Sequence, residues 1–496
     1  MTTFEKEVFR LITDPTLTFR ERILELAKAA DDQLHLIQYS EDTQKLIEQN
    51  VIFQMFEGSA PFRPRYCVPD YPLFMKQGSA FLQLEPPTDI WSAVGNLMCF
   101  YHNQTSAGGL PVYAGCLDEL LDPFIGDEAE ARKAIRMLLT HMDTTNGDSF
   151  FHANLSGYDN RAARILLELS AEMQRPCPNM SILYRQDTPD ELALAAIRAG
   201  LVCSKPSFAN DVMYRADLGD YAVVSCYNTL PVGGSGMTLV RLNMQYLPRL
   251  AASTEQLLNE VIPAVSAAMC EVIDKRTQFI VDTCHYYENT YMYHEGLLHK
   301  DKDHMVGMFG YVGLAECVNG MLKPADKSGR YGNCKEADAL GEAIMEKICE
   351  AVGKYTPKYG KIELHAQVGV REDTDCSPGG RIPIGDEPEM PSQLRQFAQM
   401  HRYCVAGCGE IYPFDDTAKR NPEAILDIIK GAFALNTRYI SFYSSDADVV
   451  RITGYLVKRS DIETLSAGGQ TLHDSTSLGK GITEGLGLLD RKVRGV

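Results

Sequence analysis

Apolar residues recur at helical spacing in several stretches and then give way to short runs of continuous apolarity. In "DPTLTFRERILELAKAADDQL" (14–34), Asp14 before Pro15 is a start signal, and apolar positions at three- and four-residue intervals predict a helix. "EDTQKLIEQNVIFQMFEG" (41–58) predicts a second helix, ending at glycine. Between about residues 58 and 115, Pro, Gly, Tyr and Asn are frequent and loops are expected to dominate. Two amphipathic helices follow, "DEAEARKAIRMLLTHMD" (127–143) and "NRAARILLELSAEMQ" (160–174), then a short strand, "NMSILY" (179–184). "TPDELALAAIRAG" (188–200) offers Thr188 as cap, Pro189 at the first helical position and Glu191 near the capping-box position. "YAVVSC", "KIELHAQVGV" and "TRYISFYSS" predict further strands, and residues 253–283 and 421–435 further helices. Such alternation points to an α/β fold. With no repeat and no low-complexity linker, one large domain over 1–496 is expected, with a helical and loop-rich portion at 1–115.

Composition narrows the picture. The 496 residues are 45% hydrophobic and 23% charged, as in globular proteins. A formal net charge of −18 disfavours nucleic-acid and anionic-membrane surfaces. The N-terminus lacks an apolar stretch of signal-peptide length, and no later run reaches the roughly 20 apolar residues of a membrane helix, so a soluble cytoplasmic protein is expected. Fourteen scattered cysteines in such a chain read as reduced thiols. Cys404 and Cys408 come nearest to a metal pair but lack a second pair, so no metal is expected.

Chemistry concentrates in two places. "RITGY" (451–455) interrupts a strand-like run with Gly454. Loss of one α-hydrogen from glycine leaves a radical that flattens and delocalises into both neighbouring peptide groups, and any side chain would crowd that arrangement. A thiol brought within hydrogen-transfer reach can exchange a hydrogen atom with such a carbon, so a cysteine at the end of a buried run is the feature to look for. "GDYAVVSCYNTLPVGGSG" (219–236) supplies one: Cys226 ends the apolar run Tyr221–Val224 and precedes a Pro/Gly-rich loop. The alternatives are a strand bulge at Gly454 and a core thiol at Cys226.

On these residues, and on "PCPNMSILY" (176–184), "PSFANDV" (206–212), "VVSCYNTLPVGG" (223–234), "GLAECVNG" (313–320) and "RITGYLVKRSDIE" (451–463), the chain resembles the glycyl radical enzymes, most closely the YjjI family. The resemblance implies a ten-stranded α/β barrel of two five-stranded halves surrounded by helices, with a Cys226 loop and a Gly454 loop meeting inside. It implies a C-terminal glycyl radical region at 430–496, with Arg451 and Tyr455 supporting the radical loop. It also implies activation by a separate radical-SAM enzyme using S-adenosylmethionine and an iron–sulfur cluster, anaerobic operation and a homodimer.

The residues beside Cys226 restrict the reaction. Pyruvate formate-lyases carry two adjacent cysteines; here Ser225 precedes Cys226. Diol- and choline-type members place a glutamate two residues after the cysteine; here that position is Asn228, which orients a hydroxyl but is no base. Class III ribonucleotide reductases share similar Gly segments, yet carry a C-terminal four-cysteine zinc site. This chain has only Cys404 and Cys408 in its last hundred residues, both before Gly454, and no phosphate loop. Candidate substrate-handling groups are Asn228, His294, Glu295 and His365. His152 and Arg381 are weaker candidates, the latter either holding a substrate anion or bridging to Asp386. The expected activity is hydrogen abstraction from a small oxygenated metabolite, followed by elimination or C–C cleavage. Anaerobic ribonucleotide reduction is the alternative enzyme, and a non-catalytic repair subunit the alternative of another class.

Overall fold

The computed structural model describes the chain except residues 16, 18, 54–56, 110, 146–150, 225–226, 368–375, 452–455 and 472–490. After the short strands β1 (Ile52–Phe53) and β2 (Tyr66–Val68) come β3 (Val112–Cys116), β4 (Phe151–Leu155), β5 (Asn179–Tyr184) and β6 (Ser207–Asn210). A hairpin of β7 (Tyr221–Val224) and β8 (Asn228–Pro231) follows. Then come β9 (Gly234–Asn243), β10 (Met305–Val312), β11 (Lys361–Ala366), β12 (Glu410–Phe414) and β13 (Tyr439–Ser444). The last described strands form a second hairpin, β14 (Val449–Arg451) and β15 (Leu456–Lys458).

β3 to β6 run parallel, as do β9 to β11 and the pair β12–β13. Helices Glu128–Thr140, Arg161–Met173 and Asp190–Cys203 fill the crossovers that parallel strands require. Two antiparallel junctions unite the halves: β6 with β13 (Ala209 opposite Tyr439) and β2 with β9 (Cys67 opposite Ser235). Between β11 and β12 the wall continues through backbone bonds, Ala406 N–H to Leu364 O (3.1 Å) and Ala366 N–H to Gly407 O (3.0 Å). β2 lies beside β3 and closes the other side. The result is an α/β barrel of ten strands, β2–β3–β4–β5–β6 facing β13–β12–β11–β10–β9. All ten residues of β9 are buried, as expected where side chains cover both faces of a parallel wall.

The expected helices at 127–143, 160–174, 253–283 and 421–435 are present with shifted ends. Asn160 caps one, accepting from Ala163 N–H, and its Ile165, Leu166 and Leu169 face the core. Three local expectations change. The helix expected over 41–58 stops at Glu48, because Asn50 turns left-handed (φ 58°) and Ile52–Phe53 pair with the edge of β9. The expected loops of 58–115 include an 18-residue helix, Ile90–Ala107, capped reciprocally by Asp89 and Ser92. Helix Asp190–Cys203 begins after Pro189, and Thr188 instead accepts from Arg185 N–H (3.0 Å). The stretch Thr254–Thr283, read from sequence as too polar for a membrane span, is helical, long and apolar enough to cross one; half of its most apolar window is buried, packed on β9 and β10. Every described cysteine is a free thiol.

Candidate active site

Cys226 joins β7 to the turn before β8, and Gly454 and Tyr455 join β14 to β15; all three lie outside the described residues. Their flanks are described. The β7–β8 hairpin sits within the barrel, gripped from both halves. On one side Asn154 of β4 bonds both backbone groups of Val223, accepting at 3.0 Å and donating at 2.9 Å. On the other, Thr229 donates its N–H to Ala406 O (2.9 Å) and its hydroxyl to Val405 O (2.8 Å). Tyr221–Val224 and Asn228–Pro231 are buried throughout, which is why Tyr221–Val224 is a continuous apolar run.

Described residues flanking both segments connect to β5, one directly and one through Tyr439. Arg451, fully buried, donates to Asn179 Oδ1 (3.0 Å) and to the carbonyl of Ser204 (2.9 Å), and its own carbonyl accepts from Arg491 (2.9 Å). Tyr227 lies 6.0 Å, ring to ring, from Tyr439, whose hydroxyl meets Ser181 Oγ at 2.8 Å. Asn179 and Ser181 are two apart on β5, so they share a strand face about 7 Å apart. Arg451, three before Gly454, thus bonds β5 directly, while Tyr227, after Cys226, connects to it through Tyr439. His152 of β4 joins the cluster, its Nε2 3.0 Å from Ser181 Oγ.

A buried polar chain runs from the hairpin into the opposite wall. Asn228 Oδ1 meets His365 Nε2 at 2.5 Å, His365 Nδ1 meets Gln367 Nε2 at 3.2 Å, and Gln367 Oε1 accepts from Arg241 at 3.1 Å. The amide oxygen requires hydrogen on Nε2, and the Gln367 donor requires Nδ1 as acceptor, which assigns the tautomer. Burial, aided by the Arg241 charge, lowers the His365 pKa to about 3, so the ring is neutral. The arrangement holds a neutral, oriented imidazole against an oriented amide.

The other candidates separate from this cluster. His294 is exposed and bonds Glu288 O (2.9 Å), while Glu295 accepts from Ser79 Oγ and Phe81 N–H; neither joins Asn228 and His365, because the short helix Tyr291–His294 fastens to the outer segment 77–81. Arg381 does not bridge to Asp386, which pairs with Arg330. It donates twice to Gly409 O, pairs with Glu410 (3.5 Å) and lies over the Tyr227 ring (5.6 Å). Glu410 is fully buried and its pKa is raised by burial against the pull of Arg381. Cys404 Sγ meets Tyr311 Oη at 3.2 Å; among the described residues no group of three or more His, Cys, Asp or Glu is placed to hold a metal.

Sequence reasoning missed Asn179, Ser181, Tyr439, Gln367, Arg241, Glu410 and Arg491. Gln367 carried a signal, standing two residues from His365 on the same strand face. The rest meet the site only through the barrel's closure.

The chain matches the family described as glycyl radical enzyme YjjI-like over residues 17–494. It is 37% identical to an uncharacterized Haemophilus influenzae protein, over 99% of this chain and 97% of that one. The anaerobic ribonucleotide reductase from Thermotoga maritima, in complex with dATP and CTP, superposes with a TM-score of 0.74 at 12% identity, covering 92% of each chain. The B12-independent glycerol dehydratase from Clostridium butyricum gives 0.68 at 13% identity, over 99% of this chain and 88% of that one. A family match across nearly its full length, in a sequence that carries RITGY and SCYN, places the chain among the YjjI-like glycyl radical enzymes.

Proposed function

We propose that Cys226 and Gly454 form a hydrogen-atom relay acting on a small oxygenated metabolite. The Gly454 radical takes a hydrogen atom from Cys226, so an S–H bond breaks and a C–H bond forms. The thiyl then breaks a substrate C–H bond. The substrate radical loses water or cleaves a C–C bond, and the product radical recovers its hydrogen atom from sulfur. Asn228, held by His365, positions the substrate oxygen by hydrogen bonding. A neutral histidine with a pKa of about 3 is a poor base at neutral pH, so proton transfer falls to the substrate, solvent or another group. Activation comes from a radical-SAM enzyme using S-adenosylmethionine and an iron–sulfur cluster, and the enzyme works as a cytoplasmic homodimer under anaerobic conditions.

The observation that supports this reading is that Tyr439 links Tyr227 to Ser181 of β5, two residues along from Asn179, which holds Arg451. Electron paramagnetic resonance on anaerobically activated protein tests it. A doublet from one strongly coupled α-hydrogen is expected, absent in Gly454→Ala and retained in Cys226→Ala, which has no turnover. An activated wild type without that doublet overturns the reading.

Ribonucleotide reduction is the second reading, favoured by the Thermotoga maritima likeness. Calorimetric titration with the four ribonucleoside triphosphates separates the two: micromolar binding supports the second reading, and none leaves the first.

A further inference from the structure

The segment "CVAGCGE" (404–410) holds two glycines at which a side chain has no room. Gly407 adopts φ +120°, and a Cβ there would lie 1.9 Å from Tyr227 O, 2.8 Å from Tyr227 C and 3.0 Å from Asn228 Cα, all backbone atoms. At Gly409 a Cβ would lie 2.8 Å from Tyr227 Cδ1 and 2.7 Å from Tyr439 Cδ1. The same segment is fixed from both sides. Ala406 donates to β11 and accepts from Thr229, Val405 O accepts the Thr229 hydroxyl, and Gly409 O takes both Arg381 bonds. Its backbone therefore lies in contact with the three residues that follow Cys226, with no side chain between.

We propose that Val405–Gly409 is the positioning element of the hydrogen-transfer step, Gly407 setting how deeply the Tyr227–Thr229 backbone, and with it Cys226, sits toward the radical loop. The inference rests on the relay proposed above and adds the group that sets its distance. Hydrogen-atom transfer needs near contact between donor and acceptor. A methyl group at Gly407 must push Tyr227 back by more than about 1 Å to reach ordinary contact, a displacement that costs about a hundredfold in a well-oriented reaction.

The test reads the relay itself. Thiol hydrogen exchanges with solvent, so in D2O reversible transfer through Cys226 places deuterium on Gly454 and collapses the doublet towards a singlet. The wild type is expected to collapse. Gly407→Ala is expected to reach a comparable spin yield, but to collapse at least about tenfold more slowly and lose about a hundredfold in kcat with KM little changed. Thr229→Val, a milder change that removes only the Val405 bond, should slow collapse about threefold, and it carries the test if Gly407→Ala fails to fold. Gly431→Ala, in open space on helix Pro422–Ala434, is the control and should match wild type. Folded Gly407→Ala that exchanges and turns over at wild-type rates overturns the inference and leaves the relay standing. Thr229→Val at wild-type rates, where Gly407→Ala does not fold, has the same force. A wild type that gives the doublet without collapse in D2O overturns the relay instead.

Discussion

A histidine held neutral inside a barrel makes its host sensitive to acid. His365 has a folded pKa of about 3 against an ordinary 6.5, so between those values the unfolded chain binds a proton that the folded one does not. Stability is therefore complete above about pH 6.5 and falls as pH drops towards 3. Between pH 7 and pH 5 this one group accounts for a loss of about 2 kcal/mol. His401, also buried and shifted down by burial and by Arg438, acts in the same direction. Urea unfolding at the two pH values should show His365→Asn losing about 2 kcal/mol less than wild type across that interval, whatever its stability at pH 7. At this scale the sequence is legible only where chemistry is local. RITGY and SCYN carry their meaning within five residues. The partnership of Asn228 with His365 spans 137 positions, and nothing in either neighbourhood announces it.

Among elements, the covering helices follow the apolar pattern because each buries one face, as in Arg161–Met173. Helix Ile90–Ala107 escapes it, since the polar Asn96 and Gln104 are buried along with Ile90, Ala93, Val94, Leu97, Phe100 and Tyr101, and the polar contrast is blurred. Helix Ile262–Gln278 is fastened to the barrel by a buried cation: Arg276 donates to Thr238 Oγ1 of β9 (2.9 Å), to Gly58 O (2.8 Å) and to Glu57 (3.2 Å). Arg276→Met removes the nearer cation from the buried Glu57, leaving the Thr238 hydroxyl (3.0 Å) and Arg65 (3.7 Å), and should cost about 3 kcal/mol in urea unfolding. The β14–β15 hairpin depends likewise on Arg451. The shorter side chain in Arg451→Lys stops short of where the single guanidinium nitrogen bonds both Asn179 and Ser204, so amide exchange at Val450 and Val457 should accelerate about tenfold while β4 and β5 keep their protection.

For the whole molecule, closure does the organising. β2 and β9, like β6 and β13, are distant in sequence and antiparallel, and these two junctions join the halves that hold the β7–β8 and β14–β15 hairpins. Alternating helix and strand texture foretold an α/β fold. The barrel itself was legible only through resemblance, because junction partners carry no periodic mark. Arg491, Glu410 and the Val405–Gly409 clamp were invisible for the same reason.

The final residues fold back onto this frame. Arg494 pairs with the end of β12, donating its N–H to Pro413 O and accepting from Asp415 N–H, while Arg491 holds the Arg451 carbonyl. On the relay proposed above, oxygen cleavage at Gly454 is expected to leave a piece that stays moored by these bonds. The damaged enzyme should elute at its native size and divide in two only on a denaturing gel. A cell that clears it must recognise loss of function in a particle whose outline has not changed.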